Sequence, residues 1–216
     1  KGLSFLNKGK LNMKMGLNDI SAHDVINSFS QVSLNKIFYF FGEETKSKYI
    51  AKKITNFRKT KNIDTQDLVK IIDSTYKNKY KKIHNSTKVF QALRIFVNKE
   101  ISELINGLIN SFKLIPKGGV IVVVTFHSIE DKIVKYFFHH YSQNKNSSRY
   151  LPEKEIKNIL FKLTNKKALL PDKLEVLKNP PSRSAKLRYA FKINEHSDFS
   201  DFKKKFKYLL DIENLQ

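Results

Sequence analysis

The chain has 216 residues, of which 41 are Lys or Arg and 20 are Asp or Glu, so its net charge is +21. A hydrophobic content of 40%, with 17 Phe and 9 Tyr, suffices for a packed core in one domain, with or without an insertion. The absence of cysteine excludes disulfides and thiolate metal sites. No apolar run approaches the roughly 20 residues of a membrane-spanning helix. The charge favours nucleic acid as a partner, because phosphate contacts release counterions. The alternative is that the positive charge has no binding role and only reflects a composition rich in Lys and Asn.

An all-helical block is predicted for residues 21–76, where no strand pattern interrupts the chain. Ser21 and Asp24 resemble a capping box, Ser33 opens a second helix, and Thr65 caps a fourth.

The third predicted helix follows Gly42, a natural helix stop, and begins at Glu43 and Glu44. One of its faces is apolar. The other face holds six basic side chains, namely Lys46, Lys48, Lys52, Lys53, Arg58 and Lys59.

A basic linker at 76–88 leads to two further predicted elements. The linker interleaves Lys with Tyr, which suits either a grip on single-stranded nucleic acid or a solvated connection. Residues 88–112 carry apolar side chains at helical spacing, which predicts one long amphipathic helix. Residues 120–125 are all apolar or β-branched, and such an unbroken run predicts a strand that is buried on both faces.

A helix is predicted over 129–141, directly after this strand. Ser128 can cap its first turn, and Glu130 and Asp131 suit the positive end of its dipole. Strand, polar turn and helix make the βα unit of an α/β sheet. Ligands of such sheets bind beyond the carboxyl ends of the strands, where His127 and Ser128 lie.

The remainder of the chain mixes helix and strand patterns. Helices are predicted at 153–163 and 199–210, and strands at 169–170 with 174–176 and at 187–193.

Several stretches together resemble one family, the bacterial 16S ribosomal RNA cytosine-N4 methyltransferases (MraW or RsmH). The resemblance covers essentially the whole chain, and its FHSIED and FQALRIFVN stretches are the most specific. The stretches are KGLSF at 1–5, MKM at 13–15, GEE at 42–44, FQALRIFVN at 90–98, TFHSIEDKIVK at 125–135 and NPPSRSAKLR at 179–188.

The resemblance implies a Rossmann-like class I methyltransferase, an α/β fold that uses S-adenosylmethionine and carries an inserted all-helical domain. Residues 1–16 would end the N-terminal half of the methyltransferase domain. Residues 17–86 would be the insertion, which is expected to help recognise RNA, and residues 87–216 the C-terminal half. The first strands would be missing from this chain, so the fold would be incomplete.

The implied activity is N4-methylation of a cytidine in the 16S RNA of the small ribosomal subunit. Ribosomal RNA and the small subunit are therefore the expected partners, with no membrane and no metal, and a homodimer is left open. The expected location is the cytoplasm, with the mitochondrion as the alternative. A non-enzymatic basic RNA-binding module is the alternative function.

The residues that hold the cofactor in this family are expected upstream of Lys1, so none is assigned here. None of the seven glycines forms a G-x-G-x-x-G turn. Lys1 and Lys88 stand where the family usually has Arg, which keeps the charge but loses the bidentate fork.

His127, Ser128 and Glu130 are the candidate catalytic residues. The exocyclic amine of cytosine is a poor nucleophile, so a site must align it and offer acceptors to its N–H groups. The alternative is that Ser128 is only a helix cap and His127 a packed turn residue. Asp131 is expected to serve the helix dipole.

Five basic residues are the candidate RNA contacts. Three of them follow a rigid Pro-Pro turn that would present them to phosphate, and Arg94 would reach either RNA or an internal carboxylate. The five are Arg94, Lys132, Arg183, Lys186 and Arg188.

Overall fold

A computed structural model describes residues 11–16, 19–76, 84–142, 159–195 and 198–215. Its strands are β1 (Val120–Thr125), β2 (Phe161–Lys162) and β3 (Lys186–Lys192), and Pro180–Ser184 form a short 3₁₀ helix. Its helices are α1 (Ala22–Ser28), α2 (Gln31–Gly42), α3 (Ser47–Phe57), α4 (Thr65–Asp73), α5 (Thr87–Val97), α6 (Glu100–Leu114), α7 (Ser128–His140), α8 (Lys173–Lys178), α9 (Ser200–Lys205) and α10 (Lys207–Glu213).

Contacts divide the chain into two compact units. The first comprises Lys1–Ser102 with Lys207–Gln216, and the second comprises Glu103–Phe206. The domain division expected from the sequence, with an insertion at 17–86, stays a prediction. Among the described helices, none combines the length and the apolar character needed to span a membrane.

The first unit confirms the helical block over the described part of residues 21–76. Ser21 and Asp24 form the predicted capping box of α1. The predicted starts of the second and fourth helices were wrong by three residues and by one residue. Ser30 rather than Ser33 caps α2, and Asp64 rather than Thr65 caps α4. In both cases the true cap lies just before the first turn in an extended conformation, from which its side-chain oxygen reaches the N–H group three residues on.

Helix α2 ends at Gly42 as predicted, but the start of the third helix and the residue that takes the left-handed conformation differ from expectation. Helix α3 begins at Ser47, because the carboxylate of Glu44 accepts a hydrogen bond from the Lys46 N–H and the chain turns before the helix. Glu43, not Gly42, takes the left-handed conformation that ends α2, with φ of 48°. Gly42 is needed for packing, since a Cβ there would lie 2.5 Å from the carbonyl oxygen of Lys88.

The single helix predicted over 88–112 was wrong, because the chain breaks between α5 and α6. Lys99 adopts φ of 50°, which an α-helix does not accommodate. The new helix start is stabilised from far along the chain. The buried Glu213 carboxylate accepts hydrogen bonds from the N–H groups of Ile101 (2.7 Å) and Ser102 (3.0 Å). Hydrophobic periodicity cannot show such a cap, since it comes from a residue more than one hundred positions away.

The second unit contains an antiparallel sheet with the order β1-β3-β2. Strands β1 and β3 confirm the predictions at 120–125 and 187–193. The helix predicted through residue 163 was wrong at 161–162, which form β2; its part at 153–158 lies outside the described residues.

Two further predictions in the second half of the chain were wrong. The predicted strand at 174–176 is part of α8, which Asp172 caps through the Glu175 N–H, and Leu169 makes only an isolated bridge to Leu187. The predicted helix at 199–210 is broken at Phe206 into α9 and α10.

The register of β1 and β3 defines two faces of the sheet. Ile121 and Thr125 of β1 and Ala190 of β3 are buried on one face. The opposite face carries Val120, Val122 and Val124 of β1 opposite Phe191, Tyr189 and Leu187 of β3. Its three valines are 44%, 54% and 48% exposed. The prediction that β1 is buried on both faces was therefore wrong for this chain.

Lys192, at the end of β3, is buried and stabilises the C-terminal end of α6. Its side chain is 1% exposed, and its ammonium donates to the carbonyl oxygens of Phe112 (3.0 Å) and Ile115 (2.8 Å). The ammonium also lies 4.5 Å from the centre of the Phe112 ring and 2.7 Å from an exposed Glu195 oxygen. A cation at a helix C-terminus complements the unpaired carbonyls and the dipole.

Candidate functional site

The turn between β1 and α7 is fixed by a capping box that uses histidine. The Nδ1 atom of His127 accepts a hydrogen bond from the Glu130 N–H, and the Glu130 carboxylate accepts from the N–H groups of Phe126 (2.8 Å) and His127. The prediction that Ser128 caps this helix was wrong, because His127 takes that position and Ser128 is the first helical residue.

His127 and Glu130 are bound to each other as well as to the backbone. The side chain of His127 is nearly buried, and its Nε2 atom lies 3.2 Å from a Glu130 oxygen. Burial acts to raise the pKa of the Glu130 carboxyl, but hydrogen bonds from His127 and from the backbone outweigh it and the pKa is lowered. Glu130 is therefore an ionised acceptor whose oxygens shape the turn.

Ser128 is exposed at the carboxyl end of β1. Its side chain is not the N-cap of α7, since His127 occupies that position. The arrangement that remains is an exposed hydroxyl beside a rigid turn that presents an anionic carboxylate.

Asp131 joins α7 to β3 through two of the candidate RNA contacts. Arg188 donates to both of its carboxylate oxygens, at 2.7 and 3.3 Å, and Lys186 donates at 3.1 Å. Burial acts to raise the pKa of the Asp131 carboxyl, yet the hydrogen bonds and charges of Arg188 and Lys186 hold it below its ordinary value. Asp131 thus connects α7 to the sheet, a role beyond the expected dipole effect.

The other candidate RNA contacts are described one by one. Arg94 makes a bidentate ion pair with Glu100, with N–O distances of 2.8 and 3.0 Å. Of the two expected partners, RNA or an internal carboxylate, the structure shows the carboxylate. Lys132 is exposed on α7, and Arg183 is exposed on the 3₁₀ helix, where it donates to the Pro180 carbonyl oxygen. Of the five, the structure shows Lys186 and Arg188 together on one carboxylate, that of Asp131.

Sequence reasoning noted the basic face of the third helix but did not select it as a binding site. Residues 45–63 contain seven Lys or Arg and no acidic residue. On α3, Lys48, Tyr49 and Lys52 are exposed, with 69% of Tyr49 accessible, and Lys53 donates to Ser74. Lys53 is exposed as well, but its ammonium is bound to Ser74, and we call Lys48, Tyr49 and Lys52 the α3 basic face. The signal in the sequence was a stretch around Tyr49 that contains many basic residues and no acidic one.

The fold and this site define a basic protein of mixed helix and sheet whose strand-end turn is fixed by a His–Glu capping box. The chain belongs to the MraW methylase family, which it matches over residues 1–193.

Curated relatives support this assignment, and the three described here are each named ribosomal RNA small subunit methyltransferase H. The relative from Afipia carboxidovorans is 41% identical over 191 residues, 88% of this chain and 57% of its own length. That from Maricaulis maris is 42% identical over 205 residues, covering 93% and 61%. That from Orientia tsutsugamushi is 41% identical over 203 residues, covering 90% and 65%. The chain therefore spans less than two thirds of the length of these relatives.

Proposed function

We propose that this chain is part of an enzyme that uses S-adenosylmethionine to methylate N4 of a cytidine in the RNA of the small ribosomal subunit. The observation that carries the proposal is the family match over residues 1–193, together with relatives about 40% identical that are named as ribosomal RNA small subunit methyltransferases. A Rossmann-like fold, of which the described sheet is one side, is part of the same proposal.

The described residues do not by themselves fit the cofactor. The strand end has no glycine-rich turn, and Glu130, the carboxylate that could accept from ribose hydroxyls, already accepts from two backbone N–H groups. S-Adenosylmethionine would supply an electrophilic methyl group. We assign its binding to family residues outside this chain and derive no step through it.

The strand end fits the acceptor base. A cytidine must be unpaired to enter such a site, and its amine needs acceptors that hold it in line for attack. The exposed hydroxyl of Ser128 can accept from that amine, while the His127–Glu130 pair keeps the turn rigid and negatively charged. Ser128 is the residue we place against the base, and His127 and Glu130 are positioning residues.

The α3 basic face fits the RNA backbone. Two exposed lysines one helical turn apart can pair with successive phosphates, and an exposed tyrosine between them can stack on an unpaired base. With a net charge of +21, the chain also attracts RNA over a longer range.

The proposed activity can be tested with a chimera in which this chain replaces the matched 203-residue stretch of the Orientia tsutsugamushi relative. We expect it to transfer labelled methyl groups to small subunits that lack the modification, and mass spectrometry of the digested RNA to detect N4-methylcytidine. A different methylated nucleoside would overturn the base assignment. RNA binding without methylation would instead support the basic RNA-binding module.

Substituting Ser128 by Ala in this chimera should lower turnover about tenfold, the order expected for one lost positioning hydrogen bond. Because His127 provides the cap, α7 keeps its N-terminal cap in this variant, and the RNA affinity should not change. Single-turnover kinetics would measure the effect. Ser200→Ala, at the exposed first residue of α9, is the matched control. Equal turnover of the two variants would show that Ser128 does not contact the base.

Neutralising the α3 basic face should weaken RNA binding. For Lys48→Gln with Lys52→Gln we expect about a tenfold loss of affinity for small-subunit RNA and a shallower dependence on salt, since two phosphate contacts are lost. Titrations at several salt concentrations would measure both. The control is Lys173→Gln with Lys178→Gln on α8, which removes the same charge from another exposed helix. Equal losses in both pairs would mean that only net charge matters.

A further inference from the structure

The solvent face of α7 carries a row of polar side chains that begins at the strand end. Ser128, Lys132 and Lys135 are exposed, and the two lysines follow the serine by four and seven positions. Residues at this spacing share one face of an α-helix, so the lysines lie about 6 Å and about 10 Å from Ser128 along the helix axis. The residue that we place against the base is thus followed, on the same helix face, by two positive charges.

Helix α9 brings further positive charge to this surface. Its last turn contains three exposed lysines at 203–205, and the Lys205 ammonium lies 5.8 Å from the centre of the Tyr136 ring on α7. An aromatic ring attracts a cation at this distance. The two helices are also packed together by the rings of Phe137 and Phe202, whose centres are 4.8 Å apart. Lys205 is therefore held beside the lysines of α7.

The carboxylates of α7 and α9 are directed to other partners. Glu130 accepts hydrogen bonds within the strand-end turn, and Asp131 accepts them from β3. On α9, a carboxylate oxygen of Asp201 lies 3.8 Å from Nε2 of His140. Apart from the histidines of α7, the remaining ionisable groups with a charge near neutral pH on the two helices are lysines. Such a surface attracts a polyanion.

The surface fits a nucleic acid better than a membrane or a protein. The structure describes α7 and α9 in full, and neither helix exposes a large apolar side chain. Helices that bind membrane surfaces, and the cores of protein interfaces, need apolar side chains beside the charged ones. Binding of a nucleic acid backbone needs only basic groups that displace counterions from the phosphates.

We propose that Lys132, Lys135 and Lys205, called the α7–α9 lysine cluster, bind phosphates of the RNA strand that flanks the target cytidine. The cluster begins about one helical turn from Ser128, so a strand whose base lies against the Ser128 hydroxyl can continue over it. The inference rests on the proposed function, since Ser128 marks the position of the base only in that function. It adds the path that the substrate follows away from the site.

The first test measures binding of the 216-residue chain to a fluorescein-labelled single-stranded RNA that has one cytidine among uridines, by anisotropy at several salt concentrations. For Lys135→Gln with Lys205→Gln we expect about a tenfold loss of affinity. The salt slope should be shallower by about 1.4, since each single-strand phosphate contact contributes about 0.7. Lys135→Arg with Lys205→Arg keeps the charge and should keep the affinity.

The matched control is Lys113→Gln with Lys117→Gln, which removes the same charge from exposed positions that precede β1, at the end of the strand opposite to Ser128. We expect the control pair to lose less than about twofold in affinity. Equal losses in the two glutamine pairs would overturn the inference, because only net charge would then matter.

The second test uses the chimera with the Orientia tsutsugamushi relative. Lys135→Gln with Lys205→Gln should raise about tenfold the RNA concentration that gives half of the maximal single-turnover rate, whereas Ser128→Ala should lower the rate itself. An unchanged half-maximal concentration would overturn the inference. Failure of the chimera to methylate RNA would overturn the proposed function instead, and the anisotropy measurement would still decide whether RNA binds the α7–α9 lysine cluster.

Discussion

Replacing Asp131 by Asn should lower the free energy of unfolding by about 3 kcal/mol at neutral pH, the usual cost of breaking a largely buried ion pair. The side chains of Asp131 and Arg188 are only 12% and 11% exposed. The amide of Asn has one acceptor oxygen for the two donors of Arg188, and the guanidinium would remain desolvated without its counter-charge. Urea denaturation, followed by circular dichroism, would measure the loss.

The contribution of Asp131 to the free energy of unfolding should decrease as the pH is lowered. Its pKa in the folded chain is held below the ordinary value of 3.8, so the ionised form stabilises the fold above about pH 3.8. That stabilisation is lost as the pH falls through the folded pKa, and the difference from the Asn variant should shrink there. Asp211→Asn, at an exposed position of α10, is the control. A difference that stays constant between pH 7 and pH 2 would contradict this account.

Replacing Lys192 by Met should also destabilise the second unit, by about 3 kcal/mol, because the Phe112 and Ile115 carbonyl oxygens would both lose a buried donor. Methionine has nearly the volume of lysine, so the effect isolates the ammonium group from packing. Thermal and urea unfolding of the two proteins would be compared.

Glu195→Gln tests whether Lys192 stabilises the second unit through its ion pair with Glu195 or through its hydrogen bonds to the end of α6. The Glu195 side chain is 64% exposed, and such pairs contribute at most about 1 kcal/mol. We therefore expect Glu195→Gln to be nearly neutral. If it destabilised the chain as much as Lys192→Met, the ion pair would matter more than the helix cap.

Elements whose signals are local could be predicted from the sequence. Strand β1, helix α7 and the capping box of Ser21 depend on a short run or on residues three apart, and each was placed within one residue. The breaks and caps that depend on distant residues could not. The start of α6 is fixed by Glu213. The hydrophobic periodicity of the sequence continues across Lys99, whose φ is positive, so it gives no sign of the break there.

The placement of His127 and Ser128 at the end of a strand was predicted, but their local contacts were not. The strand end at His127 and Ser128 follows from a general property of α/β sheets. Which of the two caps α7 could not be predicted, because serine is the usual cap and histidine an uncommon one. Arg188 was expected to face phosphate, and its pairing with Asp131 depends on the alignment of β3 with α7, which only the fold determines.

The hydrogen bonds of Glu213 to the start of α6 also set an order for folding during synthesis. Ribosomes deliver the chain from its N-terminal end, and domains generally begin to fold as they emerge. Residues 11–102 would leave the exit tunnel early, yet α10, which completes that unit, emerges only after residues 103–206 have been made. Residues 11–102 therefore lack α10 until residues 103–206, which include the described sheet, have been translated.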